Sequence, residues 1–461
     1  MRFARGAVAV GDALPALPRA GLALNVTAAS IDVEQIKARL FDSRLPGPLV
    51  PQGQSVTGAA PPGLTGFMPV QANLKTEVLD LFGKRLTQVR LGVSQEGSAW
   101  SATLASQEAN GSLTFQTGSG RDNGRFAARL KNLYIPANLA RQEPRDDTPM
   151  DRIAQEMPAV DIVIDAFDVG ERKLGKLELV AINAGNEWRI QRLNLANADG
   201  VLAGSGAWRA RRAGDIRRRL ALDFTLEAYD AGKLLDRLGF PGTVRNASGR
   251  LEGNVAWEGS PLAIDYPSLA GNIALRVEKG QFLKADPGVG KLLGIMSLQA
   301  LPRRLALDFR DVFSEGFAFD LVSASSKIER GILSTSDFKM TGVTAAVLMN
   351  GEVDLVKETQ GLRVVVLPDL SGGMGSVVTA LLGNPILGLA TYLAQRVLKD
   401  PLSRAFSFEY VISGTWADPK TARIQNTQIG QAGAGGEQGG AQPPAIPRRP
   451  APLGTGGEEV K

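Results

Sequence analysis

The sequence predicts a mainly β protein: repeating antiparallel meanders in an elongated arrangement, with a few short helices, two of them near the C-terminus. Three observations carry this. Apolar residues alternate with period 2 along much of the chain. A segment ending at Trp100 recurs without a gap 88 residues later, ending at Trp188. Gly (53 residues) and Pro (26) punctuate the 461 residues densely enough for many turns.

The repeat comes first along the chain. In "KRLTQVRLGVSQEGSAW", Leu86, Val89, Leu91, Gly97 and Trp100 match Leu174, Leu177, Leu179, Gly185 and Trp188 of "RKLGKLELVAINAGNEW". A further strand and a Gly follow each Trp, Gly111 in one case and Gly200 in the other. The unit is a meander, and it gives two repeats over about residues 74–140 and 160–210, with a polar connection over 141–156. Val160, Ile162 and Ile164 alternate with Asp161, Val163 and Asp165 in the second repeat.

A C-terminal unit over about 215–425 shows the same pattern. Leu220, Leu222, Phe224 and Leu226 alternate with Ala221, Asp223, Thr225 and Glu227. Leu305, Leu307 and Phe309 follow suit, then Phe317, Phe319 and Leu321, then Phe406, Phe408, Tyr410 and Ile412. Each is a strand with one apolar and one more polar face, as in an antiparallel sheet wetted on one side. Trp208, Trp257 and Trp416 close similar strands. All five Trp residues lie near a Gly or Pro at a strand end, where a large ring covers a turn, so they read as structural.

Helices interrupt the strands at three places. "YDAGKLLDRLGFP" (about 230–239) has Asp230 as N-cap and Gly239 as terminator. "ADPGVGKLLGIMSLQALP" (about 286–301) has Asp286 as N-cap and Pro287 at the first helical position. The third place is the charge-free stretch between Asp369 and Arg396, where Gly383-Asn384-Pro385 reads as one helix ending and another starting, within about 373–399. Each half is roughly 14–21 Å long at 1.5 Å per residue, short of the ~30 Å hydrocarbon core. The favoured reading is a membrane-contacting helical pair presenting Val378, Leu381, Leu382, Ile386, Leu389 and Leu393. A plug on the end of the sheet and a kinked transmembrane span are the alternatives. Residues 430–461, rich in Gly and Pro, are expected to be disordered.

Composition excludes much chemistry. The chain has no Cys and no His, so thiol nucleophiles, disulfides, thiolate metal sites and imidazole bases are absent. No local motif singles out a catalytic pair among 47 Asp and Glu residues. The expectation is a protein that is not an enzyme and uses no cofactor and no metal. The net charge is +5, with arginines crowded into "RARRAGDIRRR": Arg209, Arg211, Arg212, Arg217, Arg218 and Arg219. This is either a solvated loop between two strands or a patch for anionic lipid headgroups. Nucleic acid is not expected, because no interleaved aromatics accompany the arginines. The apolar run Ala7–Val10 is too short for a secretory signal, so no export signal is expected in this chain.

The stretch "KADPGVGKLLGIMSLQALPRRLALDFRDVFSEGFAFD", with "RKLGKLEL…W", "DAGKLLDRLGF" and "SGTWADP", resembles the C-terminal region of YhdP-type members of the AsmA-like family of Gram-negative envelope proteins. The resemblance covers about residues 20–425. It implies a long, curled β-sheet with an apolar groove that bridges the periplasm and moves phospholipid towards the outer membrane. It also implies C-terminal helices acting at the outer-membrane end. The expectation is a C-terminal portion of such a protein, without the N-terminal transmembrane helix and most of the preceding groove. The implied partners are phospholipid acyl chains, a membrane surface and the missing N-terminal part of the same system; the implied place is the periplasm, membrane-associated. With this resemblance, Leu220, Leu222, Phe224, Leu226, Leu305, Leu307, Phe309, Phe317 and Phe319 are the candidate lining of the groove. Two other readings stand beside it. One is a non-transporting structural or assembly protein with a closed β core. The other is a β-rich hydrolase, which needs two convergent carboxylates where the named positions are aliphatic or Phe.

Overall fold

The computed structural model describes residues 5–32, 69–81, 84–118, 123–136, 157–184, 187–210, 218–261, 263–283, 317–342, 345–368 and 408–424. Together they hold one sheet of 21 strands. It opens with β1 (Arg5–Val10), β2 (Gly21–Asp32), β3 (Pro69–Leu81), β4 (Lys84–Glu96), β5 (Ala99–Ala105), β6 (Ala109–Gln116) and β7 (Arg125–Ile135). The middle is β8 (Ala159–Val169), β9 (Arg172–Ala184), β10 (Glu187–Asn197), β11 (Gly200–Ala210), β12 (Arg218–Ala228), β13 (Val244–Arg245), β14 (Ser248–Glu258) and β15 (Ala270–Phe282). It finishes with β16 (Phe317–Glu329), β17 (Ile332–Thr341), β18 (Ala345–Asp354), β19 (Thr359–Pro368), β20 (Phe408–Thr415) and β21 (Pro419–Ile424). Each strand pairs with the next, save that β12 pairs with β14 and the two-residue β13 pairs with β15.

Most neighbouring strands are antiparallel, as the meanders predict, and the sheet as a whole is mixed. β1–β2, β2–β3 and β7–β8 are parallel pairs. A parallel neighbour requires the chain to travel back the length of the strand before starting again, which a tight turn cannot do. Parallel pairs occur where the connection is long, at 11–20, 33–68 and 136–158. Tight turns join many of the antiparallel pairs, as at Gly97, where φ is 59°, while β15–β16 and β19–β20 are antiparallel across the longer connections 283–316 and 369–407.

Register sorts the side chains onto two faces, because directly paired residues point the same way. Following the pairs across the sheet yields an unbroken row with one residue per strand: Val26, Leu74, Leu91, Leu104, Gly111, Leu130, Ile164, Leu177, Leu195, Leu202, Leu226, Leu251, Leu275 and Ala324. A second row on the same face runs Leu113, Ala128, Ile162, Leu179, Leu193, Gly204, Phe224, Gly253 and Ile273. The opposite face carries residues such as Lys75, Arg129, Asp161, Glu178, Asp223, Arg250, Glu252 and Arg276. One face is thus apolar from β2 to β16 and the other is polar.

Two glycines on the apolar face hold positions that no other residue could take. Gly271 sits opposite Val255 with φ of 156°, and a Cβ there would stand 2.0 Å from the Asn254 carbonyl oxygen. Gly111 is built the same way, with φ of 150° and 2.1 Å to the Arg129 oxygen. Only glycine fits this backbone conformation beside a neighbouring strand's carbonyl.

Burial changes along the sheet. From β3 to β15 many apolar-face side chains are half-buried, among them Leu91, Leu179, Leu195, Leu222, Phe224, Leu226, Leu251 and Leu275. From β16 to β20 that face is sealed. Val322, Met340, Val347, Met349, Val364, Tyr410 and Ile412 form one buried cluster with Phe317 and Phe319. Each such side chain contributes about 1.5–3 kcal/mol relative to exposure. The polar-face positions are buried here too: Ala346 is 1% exposed, Leu348 4% and Val365 2%. The runs Ala345–Met349 and Val364–Val366 are therefore continuous apolar strands covered on both sides.

One helix, α1 (Ala231–Arg237), packs against the C-terminal cluster through Ala231 and Leu235. Asp230 caps it, accepting from the Lys233 backbone N–H at 3.0 Å. That bond, with the Lys233 ammonium, holds the Asp230 carboxyl below its ordinary range. A carboxylate lowered in this way stabilises the fold above its unfolded pKa of about 3.9, and loses that contribution as pH falls through its folded value. Asp230→Ala is expected to cost about 1 kcal/mol at neutral pH. In urea titrations, the gap between parent and variant should close as the solution is taken below about pH 4.

Candidate functional site

Four of the residues singled out in the sequence come together on the apolar face. Leu220, Leu222, Phe224 and Leu226 lie on one side of β12, paired to Trp208, Gly206, Gly204 and Leu202 on one neighbour and to Trp257, Val255, Gly253 and Leu251 on the other. Phe224 stands between two glycines, Gly204 and Gly253, which present no side chain beside its ring. Leu222, Phe224 and Leu226 are half-buried, while Leu220 is 2% exposed. Phe317 and Phe319 lie apart from these four, 4% and 3% exposed in the sealed C-terminal cluster, with the Phe319 ring 4.9 Å from that of Phe282. Leu305, Leu307 and Phe309 lie outside the described residues, as do Val378, Leu381, Leu382, Ile386, Leu389 and Leu393.

Sequence reasoning missed most of the face. Leu251, Val255, Ile273, Leu275 and Val277 share it with Leu222. The signal was present in "RLEGNVAW", where Leu251, Gly253, Val255 and Trp257 keep period 2. Gly253 interrupts the apolar set and makes the segment read as a turn.

All five Trp residues lie along one edge of the sheet. Trp188 pairs with Trp208, which pairs with Leu220, which pairs with Trp257. These three indoles are each 5% exposed and pack together with Leu269 and Ile328. Their Nε1–H groups donate to the carbonyls of Pro158 (3.0 Å), Gly259 (2.7 Å) and Ser260 (2.9 Å) respectively. Trp100 pairs with Phe115 on the same edge, and Trp416 follows Gly414 there and packs on the C-terminal cluster. Near Trp416 the amide of Gln360 and the Trp416 Nε1–H are buried without a hydrogen-bond partner among the described residues. Trp188→Phe removes the bond to Pro158 and part of the packing. It should cost about 1–3 kcal/mol, read as a lowered thermal midpoint with the complement of co-purified lipid unchanged. A variant that melts like the parent but loses lipid would make Trp188 a lipid contact instead.

The polar face is a field of short ion pairs. Arg129 and Arg125 reach Asp161 at 2.9 and 3.6 Å, and the Arg129 guanidinium holds that carboxyl below its usual range. Arg250 contacts Glu252 and Glu227, Arg276 contacts Glu278, and Arg363 contacts Glu409. Exposed pairs of this kind each contribute ~0–1 kcal/mol, so their main effect is to keep this face wet. Arg218 is different. It lies on the apolar face in line with Leu220, its guanidinium carbon 5.1 Å from the centre of the Trp208 ring. Burial pushes its pKa down from the usual arginine value.

Among the described residues, no three His, Cys, Asp or Glu side chains gather as a metal site requires. No described helix is long and apolar enough to cross a membrane.

Comparison with known proteins gives a consistent picture. Residues 1–421 match the YhdP protein family. Over 379 residues the chain is 28% identical to the intermembrane phospholipid transporter YhdP of Escherichia coli (strain K12), a match that covers 80% of this chain and 29% of that protein. The chain thus spans under a third of the length of that relative. No solved structure matches it.

Proposed function

Because the chain belongs to the YhdP protein family, we propose that it is part of an envelope lipid-transfer protein, its apolar face lining a groove that conducts phospholipid between the inner and outer membranes. The observation that carries this reading is the cross-strand row from Val26 to Ala324, flanked by half-buried Leu, Ile and Phe. Large bare apolar surfaces are rare on soluble proteins and mark binding sites when present.

The mechanism is one of solvation, with no covalent step. Drawing an acyl chain into water costs about 0.8 kcal/mol per methylene, so exposing ten costs roughly 8 kcal/mol. An apolar face running across strand after strand offers the tails the same surroundings at every step of about 4.8 Å. The tails then move without crossing water, while the polar headgroup stays at the edge. Such a conduit supports outer-membrane lipid homeostasis and the permeability barrier, and it works in the periplasm, at a membrane surface. Phospholipid, the cargo of the relative by its name, is the proposed cargo here. The N-terminal part of the same system is the proposed partner, the match covering 29% of that relative.

The test is native mass spectrometry of the purified chain. Phospholipid adducts released by collisional activation are expected. A folded chain that carries none, and takes none from phospholipid vesicles, would overturn the reading. In that case the sealed cluster of β16–β20 favours a second one, a structural protein of the envelope with a closed β core.

A further inference from the structure

We infer that Arg218 binds the phosphate of the lipid headgroup at the tryptophan edge of the sheet. This rests on the reading of the apolar face as lipid-bearing. The arginines paired on the polar face have carboxylate partners, as Arg250, Arg276 and Arg363 do. Arg218 is half-buried on the opposite face, and no carboxylate among the described residues pairs with it. Of the acids near this edge, Glu187 is already engaged by Arg189 and Arg209. A cation held on an apolar surface without a counter-charge is costly unless an anion joins it.

The surroundings define that anion. Arg218 ends the line Leu226, Phe224, Leu222, Leu220 on one face of β12, and the six-residue step from Leu226 to Leu220 spans about 20 Å. A ligand that satisfies both parts is apolar along that length and anionic at one end. The Trp208 ring under the guanidinium fixes its position at the edge, and the Trp208 N–H is already committed to Gly259. The remaining guanidinium donors suit two oxygens of a phosphodiester. The shared chemistry is a phosphate, and the tails distinguish a lipid from free phosphate.

The experiment loads the parent chain, Arg218→Gln and Arg218→Lys with dioleoyl phosphatidylglycerol or with dioleoylglycerol, which has the same tails and no phosphate. Bound copies are counted by native mass spectrometry. The parent should favour the phospholipid by roughly ten-fold, the worth of one charge-assisted hydrogen-bonded contact. Arg218→Gln should abolish that preference while binding dioleoylglycerol as the parent does, and Arg218→Lys should restore part of it. An unchanged preference in Arg218→Gln overturns the inference. So does an equal fall for both lipids, which would mark Arg218 as a support for Trp208 only. If the parent binds neither lipid, the lipid-bearing reading itself fails. Millimolar inorganic phosphate should leave bound phosphatidylglycerol in place; displacement would assign the contact to free phosphate.

Discussion

Leu222→Asp is expected to empty the apolar face of lipid while leaving the sheet folded. Leu222 is half-buried, so in the lipid-free chain a carboxylate there reaches water and costs little. Under an acyl chain the same carboxylate loses its water without gaining a partner, at a cost of several kcal/mol. Occupancy by co-purified phospholipid should fall by at least ten-fold, with Phe224→Asp behaving alike. The control is Ala221→Asp, one residue away on the exposed polar face, paired to Ala207 and Ala256. It should keep the parental lipid content. Equal occupancy in Leu222→Asp and Ala221→Asp would mean that the two faces do not differ in function.

Gly271→Val should be the most damaging single change to the fold. Its φ of 156° is closed to valine, and its Cβ would stand 2.0 Å from the Asn254 oxygen, so β14 and β15 would have to separate or flatten. We expect a loss of about 3–5 kcal/mol in urea unfolding, drawn from the strained-backbone and overpacking ranges. Gly97→Ala makes the comparison sharp: φ is positive there too, at 59°, but a Cβ would meet nothing within 4 Å. It should cost only about 1 kcal/mol. A Gly271→Val chain that unfolds with Gly97→Ala would show that the β14–β15 pairing tolerates a side chain at this position.

Much of this architecture can be read from the residues. Leu220 to Leu226 alternate without interruption, so their common face follows from strand geometry alone. Asp230 and Gly239 bracket α1 through chemistry confined to one turn. The parallel pairs were illegible, since strand direction depends on which way a long connection such as 33–68 returns. The doubly covered strands β18 and β19 were overlooked because Ala345–Met349 has no alternation to notice. Arg218 was hidden among its neighbours: six arginines in one short stretch read as a single polar loop. Only the register with Ala210 and Leu220 shows that this one belongs to a strand and shares a side with leucines. The candidate site as a whole was less legible than the fold. Two of its nine expected members sit in a sealed core, and the row from Val26 to Ala324 draws one residue from each strand, which no local pattern reveals.

The placement of the indoles has a practical consequence. Every intrinsic fluorophore that dominates near-ultraviolet emission sits along one edge of the sheet, and none lies on the Leu row from Val26 to Ala324. Emission therefore reports on that edge alone. A lipid carrying bromine near its headgroup would quench strongly as it docked there, whereas bromine far down the acyl tail would report how deeply the tail reaches across the strands. The chain has in effect been labelled by its own sequence, on one side, for measurements of lipid entry in solution.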